Sequence, residues 1–302
     1  MENPDITVVI PAFNEQESIR NTIEKLQIMM DSDPRVWECI VVDDGSLDDT
    51  AKIASSCRVK LIRHSRQKGY GAALKTAILA SSSEIICITD ADETYPNDKL
   101  PVMVNELADG VYDMVVGDRQ GKYIKSQKAR GLTKWTLKKI ANWLVSEKIP
   151  DLNSGLRVFR RQALVGFLSI LPDGFSFTTT ITLAMLTNDY SVRYYPIDYF
   201  ERKGRSKIRP VHDTLGFVNL ILKIGLYFKP LKIFFSLSLV LVLVAVFWAL
   251  FSVFVMGQFA DASTMAILMA AFQIGALGLL AELINTRIHA SFRKKSETIE
   301  NK

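Results

Sequence analysis

Asp90, Asp92 and Glu93 place three carboxylates within four positions, directly after the apolar run EIICI. Carboxylates that close repel one another, so a strand end that gathers them calls for a cation. Hard divalent ions such as Mg²⁺ and Mn²⁺ take oxygen ligands and share them with substrate phosphates. Asp90, Asp92 and Glu93 are therefore the candidate metal ligands, and the ion would stabilise a diphosphate leaving group. VVDDGSLDD repeats the pattern at another strand end. Asp43 and Asp44 can accept hydrogen bonds from a base N–H or a ribose hydroxyl, while Asp48 and Asp49 suit a helix N-terminus. GYGAAL lacks the third glycine of a dinucleotide fingerprint, and the first strand–helix turn, PAFNE, has no glycine. Gly69 and Gly71 are expected instead to let a helix start approach a ligand or a neighbouring strand.

The elements that must position these groups follow from periodicity. DITVVIPA reads as a β-branched strand stopped by Pro11. EQESIRNTIEKLQIMM puts Ile19, Ile23, Leu26 and Met30 on one helical face. VWECIVVDD, VKLIRH, EIICITD and YDMVVGDR read as further strands. DDTAKIASSC, GYGAALKTAILAS and NDKLPVMVNELAD are the helices between them, the last with Asn97 as its cap. Continuous apolar strands alternating with helices imply an α/β fold with a mostly parallel sheet covered on both faces. Ligands bind beyond the carboxyl ends of such strands. PAFNE, DDGS, DADE and GDR each follow a strand. Later, KARGLTKWTLKKIANWLV has an amphipathic helical pattern and DLNSGLRVFRRQAL reads as a turn, a short strand and a helix start. SFTTTITLAMLTNDY is a helix, SVRYYPIDYF a strand and ERKGRSKIRP a basic loop.

The net charge of +5 conceals a division. Residues 1–118 carry 11 basic and 21 acidic side chains, and the remainder carries 26 and 11. One part is built around carboxylates and the other around cations. A nucleic-acid binder would show the basic patch without the acidic part, so no nucleic-acid partner is expected. Ile233 to Ala260 is 28 residues without a charge, and Ala262 to Ala281 is 20 more. Each run is long enough to cross a bilayer as a helix, and the short link between them makes a hairpin. Lys223, Lys229 and Lys232 precede the pair, and Arg287, Arg293, Lys294 and Lys295 follow it. The positive-inside rule puts both ends, and the N-terminal domain, in the cytoplasm of an inner-membrane or ER-type protein. The first five residues, with two acids and a proline, do not read as a signal peptide. HDTLGFVNLILKIGLYFKP reads as an interfacial helix beside membrane lipids. Cys39, Cys57 and Cys87 fit a reducing compartment as small core residues.

VVIPAFNEQESI, VVDDGSLDDT, KGYGAALKTAI, DADETYP, GDR and DLNSGLRVFRR, in this order, resemble glycosyltransferase family 2. The likeness is to the polyprenyl-phosphate glycosyltransferases of the dolichyl-phosphate mannose synthase type, over roughly residues 5–230. It implies a GT-A fold, a nucleotide-sugar donor with UDP favoured, Mg²⁺ or Mn²⁺, and inverting transfer to an undecaprenyl- or dolichyl-type phosphate. By position it puts Pro11, Asn14 and Glu15 along the nucleotide, with Asp43 and Asp44 near base and ribose. Asp90 and Asp92 become the metal-side carboxylates; many relatives have another residue at Glu93, where a third carboxylate would strengthen the metal site or alter the sugar contact. Arg119, Arg130 and Ser154 would face the acceptor phosphate, and Arg202 and Lys207 would close over the diphosphate. Asp151 is the candidate base, with orientation of a cation in the acceptor pocket as its other role. The implied layout is a cytosolic catalytic domain at 1–209, the interfacial helix at 210–230, the hairpin at 231–290 and a basic tail at 291–302. A homo-oligomer is expected of so short a hairpin. Two other functions compete: a membrane-anchored scaffold with a degenerate transferase domain, and a short polysaccharide synthase. The second lacks its QxxRW motif here, and two spans make no obvious sugar channel.

Overall fold

A computed structural model describes residues 4–120, 139, 141–145, 148–200, 225–227 and 229–300, with side chains as far as 286. The chain divides into two compact units, Met1–Leu220 and Ile221–Lys302. The division falls inside the 210–230 segment assigned to an interfacial helix, most of which lies outside the described residues. So do residues 128–138 and 140 of the expected helix over KARGLTKWTLKKIANWLV, whose described residues 139 and 141–145 are helical.

The first unit runs β1 (Ile6–Ala12), α1 (Ile19–Ser32), β2 (Trp37–Asp43), α2 (Thr50–Ser55), β3 (Lys60–Arg63), α3 (Tyr70–Ala80) and β4 (Ile85–Ile88). It continues with α4 (Leu100–Ala108), β5 (Met114–Gln120), β6 (Arg157–Arg160), α5 (Arg161–Val165), α6 (Phe177–Thr187) and β7 (Val192–Asp198). The sheet order is β3-β2-β1-β4-β6-β5-β7. Strand β6 is antiparallel to both neighbours, and every other adjacent pair is parallel. All strands except β6 therefore end at one edge, and β6 begins there. Its reversal brings the segment 151–156 to the edge where the acidic turns lie.

Every residue of β1 is buried, as a strand covered on both faces requires. Helix α6 is buried over all but one residue, so its uniformly apolar and threonine-rich sequence has no solvent face to keep. Cys39 and Cys87 are buried free thiols, and burial pushes the Cys39 thiol up to about 12, so they behave as core residues.

Three local expectations are corrected. Pro11 does not stop β1, which runs on to Ala12. The β1–β4 ladder ends at Val9 and Ile88, so the missing N–H of Pro11 falls beyond it and costs no ladder bond. Asn97 does not cap α4; its Oδ1 accepts from the Thr89 hydroxyl at 2.7 Å, tying the end of β4 to the next turn. Gly69 and Gly71 make room for a loop rather than a strand. The carbonyls of Asp173 and Pro172 would lie 2.4 and 2.1 Å from a Cβ at these two positions, and Gly69 has φ +114. The loop before α6 thus sits on the start of α3, where the Asp173 carbonyl accepts from the Ala72 N–H at 3.1 Å.

The second unit holds α7 (Pro230–Met256) and α8 (Asp261–Glu300). Two segments, Pro230–Met256 and Asp261–Thr286, are long and apolar enough to cross a membrane. Only 11% of each one's most apolar window is buried, unlike the core helix of a soluble domain. Gly257, at φ +69, ends α7 in the left-handed conformation. Ser238 Oγ donates to the Ala271 carbonyl at 2.8 Å and Trp248 Nε1 to Ser263 Oγ at 2.7 Å, so polar groups join the two helices along their length.

Candidate active site

The loops after β1 and β2 are stitched together. Asn14, at φ +52, donates its N–H to Ser46 Oγ at 2.9 Å, and its Oδ1 accepts from the Leu47 N–H at 2.9 Å. The Glu15 N–H donates to Thr50 Oγ1 at 2.8 Å. Asn14 and Glu15 thereby shape one wall, and Pro11 lies buried in the strand beneath it. Asp48 Oδ1 accepts from the Thr50 N–H at 3.0 Å at the start of α2, while Asp49 makes no side-chain cap.

The paired aspartates after β2 differ. Asp43 Oδ2 accepts from Arg63 Nε at 3.0 Å, with Arg63 reaching out to solvent. Asp44 is turned inward. Its Oδ1 meets His64 Nδ1 at 2.7 Å and the Lys68 N–H at 2.9 Å, and its Oδ2 accepts from the Gly69 N–H at 2.8 Å. Asp44 thus anchors the start of α3, while Asp43, equally buried, also accepts from the Ser46 N–H at 3.2 Å within its own turn.

Of the three carboxylates after β4, two share a common pattern. Asp90 Oδ1 accepts from the Tyr70 hydroxyl at 3.0 Å, and Asp92 Oδ1 accepts from the Thr94 hydroxyl at 2.6 Å. Each accepts from a neutral donor at its Oδ1. Glu93 departs from the expected ligand set. It stands at φ +61, and its carboxylate binds Asn21 and, at 2.8 Å, Lys25 of α1. No group of three or more His, Cys, Asp or Glu converges among the described residues. Two oriented carboxylates, with a diphosphate to complete the shell, still fit a hard divalent cation. Glu93→Gln is accordingly expected to leave the metal requirement unchanged, since an amide still accepts from Asn21 and Lys25. A metal titration of activity checks this, and a tenfold rightward shift would restore Glu93 as a ligand.

On the far side of β4, Arg119 and Asp151 form a two-point ion pair, Nε to Oδ2 at 2.6 Å and Nη2 to Oδ1 at 2.9 Å. Burial alone would raise the Asp151 carboxyl, yet the hydrogen bonds and charge of Arg119 hold it below its ordinary value. The Arg119 guanidinium lies 5.1 Å over the Tyr199 ring, which meets Tyr95 edge-on at 5.4 Å. The Gly155 N–H donates to Tyr95 Oη at 2.7 Å. Ser154 is fully buried and its Oγ has no hydrogen-bond partner among the described residues. An orphaned buried hydroxyl is rare enough to mark a ligand position.

Gly155 is where the two sides meet. A Cβ there would stand 2.7 Å from Asp90 Oδ2. Gly155→Ala should therefore displace the flexible carboxylate rather than the backbone. The expected result is a near-native melting temperature with the metal concentration for half-activity raised about tenfold, roughly 1.4 kcal/mol. A metal titration beside thermal unfolding checks it. Arg130, Arg202 and Lys207 lie outside the described residues.

A family model described as glycosyl transferase family 2 matches residues 7–167. A dolichyl-phosphate hexose transferase of Haloferax volcanii is 30% identical over 74% of this chain and 94% of its own length. The chain belongs to glycosyltransferase family 2. A second model, the GtrB C-terminal hairpin, matches residues 229–287, so this family 2 member carries the hairpin of that group. A dodecaprenyl-phosphate galacturonate synthase of Rhizobium johnstonii is 26% identical over 53% of this chain and 49% of its own. Glucosyl-3-phosphoglycerate synthase of Mycobacterium tuberculosis, solved with Mn²⁺, UDP and phosphoglyceric acid, aligns at TM-score 0.60 and 21% identity, covering 74% of this chain and 78% of that one. A second structure of that enzyme holds Mg²⁺ and UDP. The fold is GT-A, and the protein is a glycosyltransferase.

Tyr70, Tyr95, Tyr199 and Arg157 escaped the sequence reading although three of them lie inside quoted motifs: Tyr70 in GYG, Tyr95 in DADETYP and Arg157 in NSGLR. The usable signal was an aromatic or cationic residue one or two places from a motif glycine or carboxylate.

Proposed function

We propose that this family 2 member moves a sugar from a UDP-sugar to the phosphate of a membrane polyprenyl phosphate, with inversion. The observation that carries the proposal is the arrangement at Gly155, where the oriented carboxylate of Asp90 adjoins the loop that holds Asp151 against Arg119. The relatives named for dolichyl- and dodecaprenyl-phosphate products, and the GtrB-type hairpin, support the lipid acceptor. The solved relatives holding UDP support the donor.

Asp90 and Asp92 would hold Mg²⁺ or Mn²⁺ together with the donor diphosphate. When bound, the ion supplies charge neutralisation for the leaving diphosphate. Asn14, Glu15 and Asp43 line the nucleotide side. Arg119 grips the acceptor phosphate with donors that a planar guanidinium can aim at two oxygens. Ser154 Oγ donates to the same phosphate. The acceptor is already an anion, so its oxygen attacks the anomeric carbon without losing a proton, and the bond to UDP breaks as the new one forms. Asp151 then needs no basic role; it aims Arg119. By their place in the sequence alone, Arg130 is assigned to the acceptor phosphate and Arg202 and Lys207 to the donor diphosphate. The flanking Lys229, Lys232 and Arg287 support a topology with both ends of the hairpin, and the catalytic unit, on the cytoplasmic side.

Acceptor choice tests the proposal. In detergent, label from the UDP-sugar should reach polyprenyl phosphate and not polyprenol or glycerol 3-phosphate. Transfer to the soluble phosphate alone would overturn the lipid assignment.

A further inference from the structure

Arg157 is the bulkiest of the fully buried side chains among the described residues. Its Nε donates to the Ser154 carbonyl at 2.8 Å and its Nη2 to the Leu152 carbonyl at 3.1 Å. Its Nη1 donates to Thr182 Oγ1 of α6 at 2.7 Å and approaches Met114 Sδ of β5 at 3.5 Å. All four partners are neutral. A buried cation without a bonded anion is expensive, and an apolar side chain of equal volume would fill the space more favourably. The guanidinium must therefore do something that volume does not.

What it touches answers the question. The Leu152 and Ser154 carbonyls bracket Asn153 in the loop whose two ends carry the chemistry. Upstream, Asp151 holds Arg119, and its Oδ1 also accepts from the Asn153 N–H at 3.1 Å. Downstream, Gly155 lies against the Asp90 carboxylate. A planar fork can hold two carbonyls and a hydroxyl in fixed directions at once, whereas an ammonium group cannot. Thr182 passes the anchorage on, its hydroxyl donating to the Thr178 carbonyl at 2.8 Å within the buried helix α6.

We infer that Arg157 is a positioning residue that fixes the 151–155 loop, so that the acceptor clamp and the carboxylate site keep one mutual geometry. The inference rests on the proposed reaction for its kinetic consequence, but its structural content is independent of turnover.

The test compares full-length wild type, Arg157→Lys and Thr182→Val in detergent by amide hydrogen exchange, thermal unfolding and steady-state kinetics. Arg157→Lys keeps the charge and loses the fork. The Asn153 and Gly155 amides are expected to exchange at least tenfold faster, with β1 and α1 amides unchanged. With it, kcat should fall about tenfold or more while the donor KM stays within about threefold. Thr182→Val should show the same local pattern more weakly, and it decides the matter if Arg157→Lys does not fold. Unchanged exchange at Asn153 and Gly155 would overturn the inference, as would equal acceleration throughout the catalytic unit. If wild type transfers no sugar to lipid, the exchange pattern still decides the positioning role while the proposed reaction fails separately.

Discussion

Replacing Asp92 by Asn is expected to abolish sugar transfer, by at least about a hundredfold in kcat, while the protein still unfolds near its native temperature. The fold survives because Asn keeps the oxygen that accepts from the Thr94 hydroxyl, the contact that orients the turn after β4. What is lost is a negative charge that the neutral Thr94 hydroxyl cannot replace. Mn²⁺-dependent UDP binding should weaken in parallel. Calorimetry of UDP binding with and without Mn²⁺ checks this, and undiminished metal dependence in the variant would place the ion elsewhere.

The second large effect belongs to Arg119 and Asp151. Arg119→Ala is expected to raise the acceptor KM at least tenfold with little change in the donor KM. Asp151→Ala should act the same way and also destabilise the catalytic unit. It leaves Arg119 largely buried without its partner, a loss on the order of 3 kcal/mol, at the lower end for such pairs because both side chains keep some exposure. The pH behaviour separates aiming from base catalysis. The folded Asp151 carboxyl lies below its ordinary value, so its stabilising contribution is complete above about pH 4 and is lost as pH falls through the lowered value. A carboxylate held this way is a poor proton acceptor near neutrality. The rate should therefore show no limb from Asp151 above pH 5, and Asp151→Asn should change the acceptor KM rather than the shape of the profile. A pH–rate limb that vanishes in Asp151→Asn would make Asp151 the base.

Much of this site is legible in the sequence. The alternation of apolar strands with helices gave the parallel sheet, and the polar turns PAFNE, DDGS, DADE and GDR fell at its carboxyl edge because each followed a strand. The uncharged runs after Lys232 and Asp261 marked the hairpin by length alone. What stayed hidden depends on pairing between distant segments. The reversal of β6 is what carries Gly155 to Asp90, and nothing local in NSGLRVFRR states its direction. Glu93 looked like a third ligand because spacing along the chain says nothing about a left-handed turn that swings it to Lys25. Asp43 and Asp44 looked alike in sequence, yet Asp43 meets Arg63 and the Ser46 amide while Asp44 meets His64 and the amides of Lys68 and Gly69. Arg157 sat among several arginines in a motif, and only burial separates it from them.

The most direct measurement offers radiolabelled UDP-sugars one at a time to the detergent-purified protein with polyprenyl phosphate and Mn²⁺, Mg²⁺ or EDTA, and counts label in the organic extract. Metal-dependent transfer from one donor, lost in EDTA, is the predicted result. No extractable label from any donor with folded protein, or transfer undiminished by EDTA, would contradict the account.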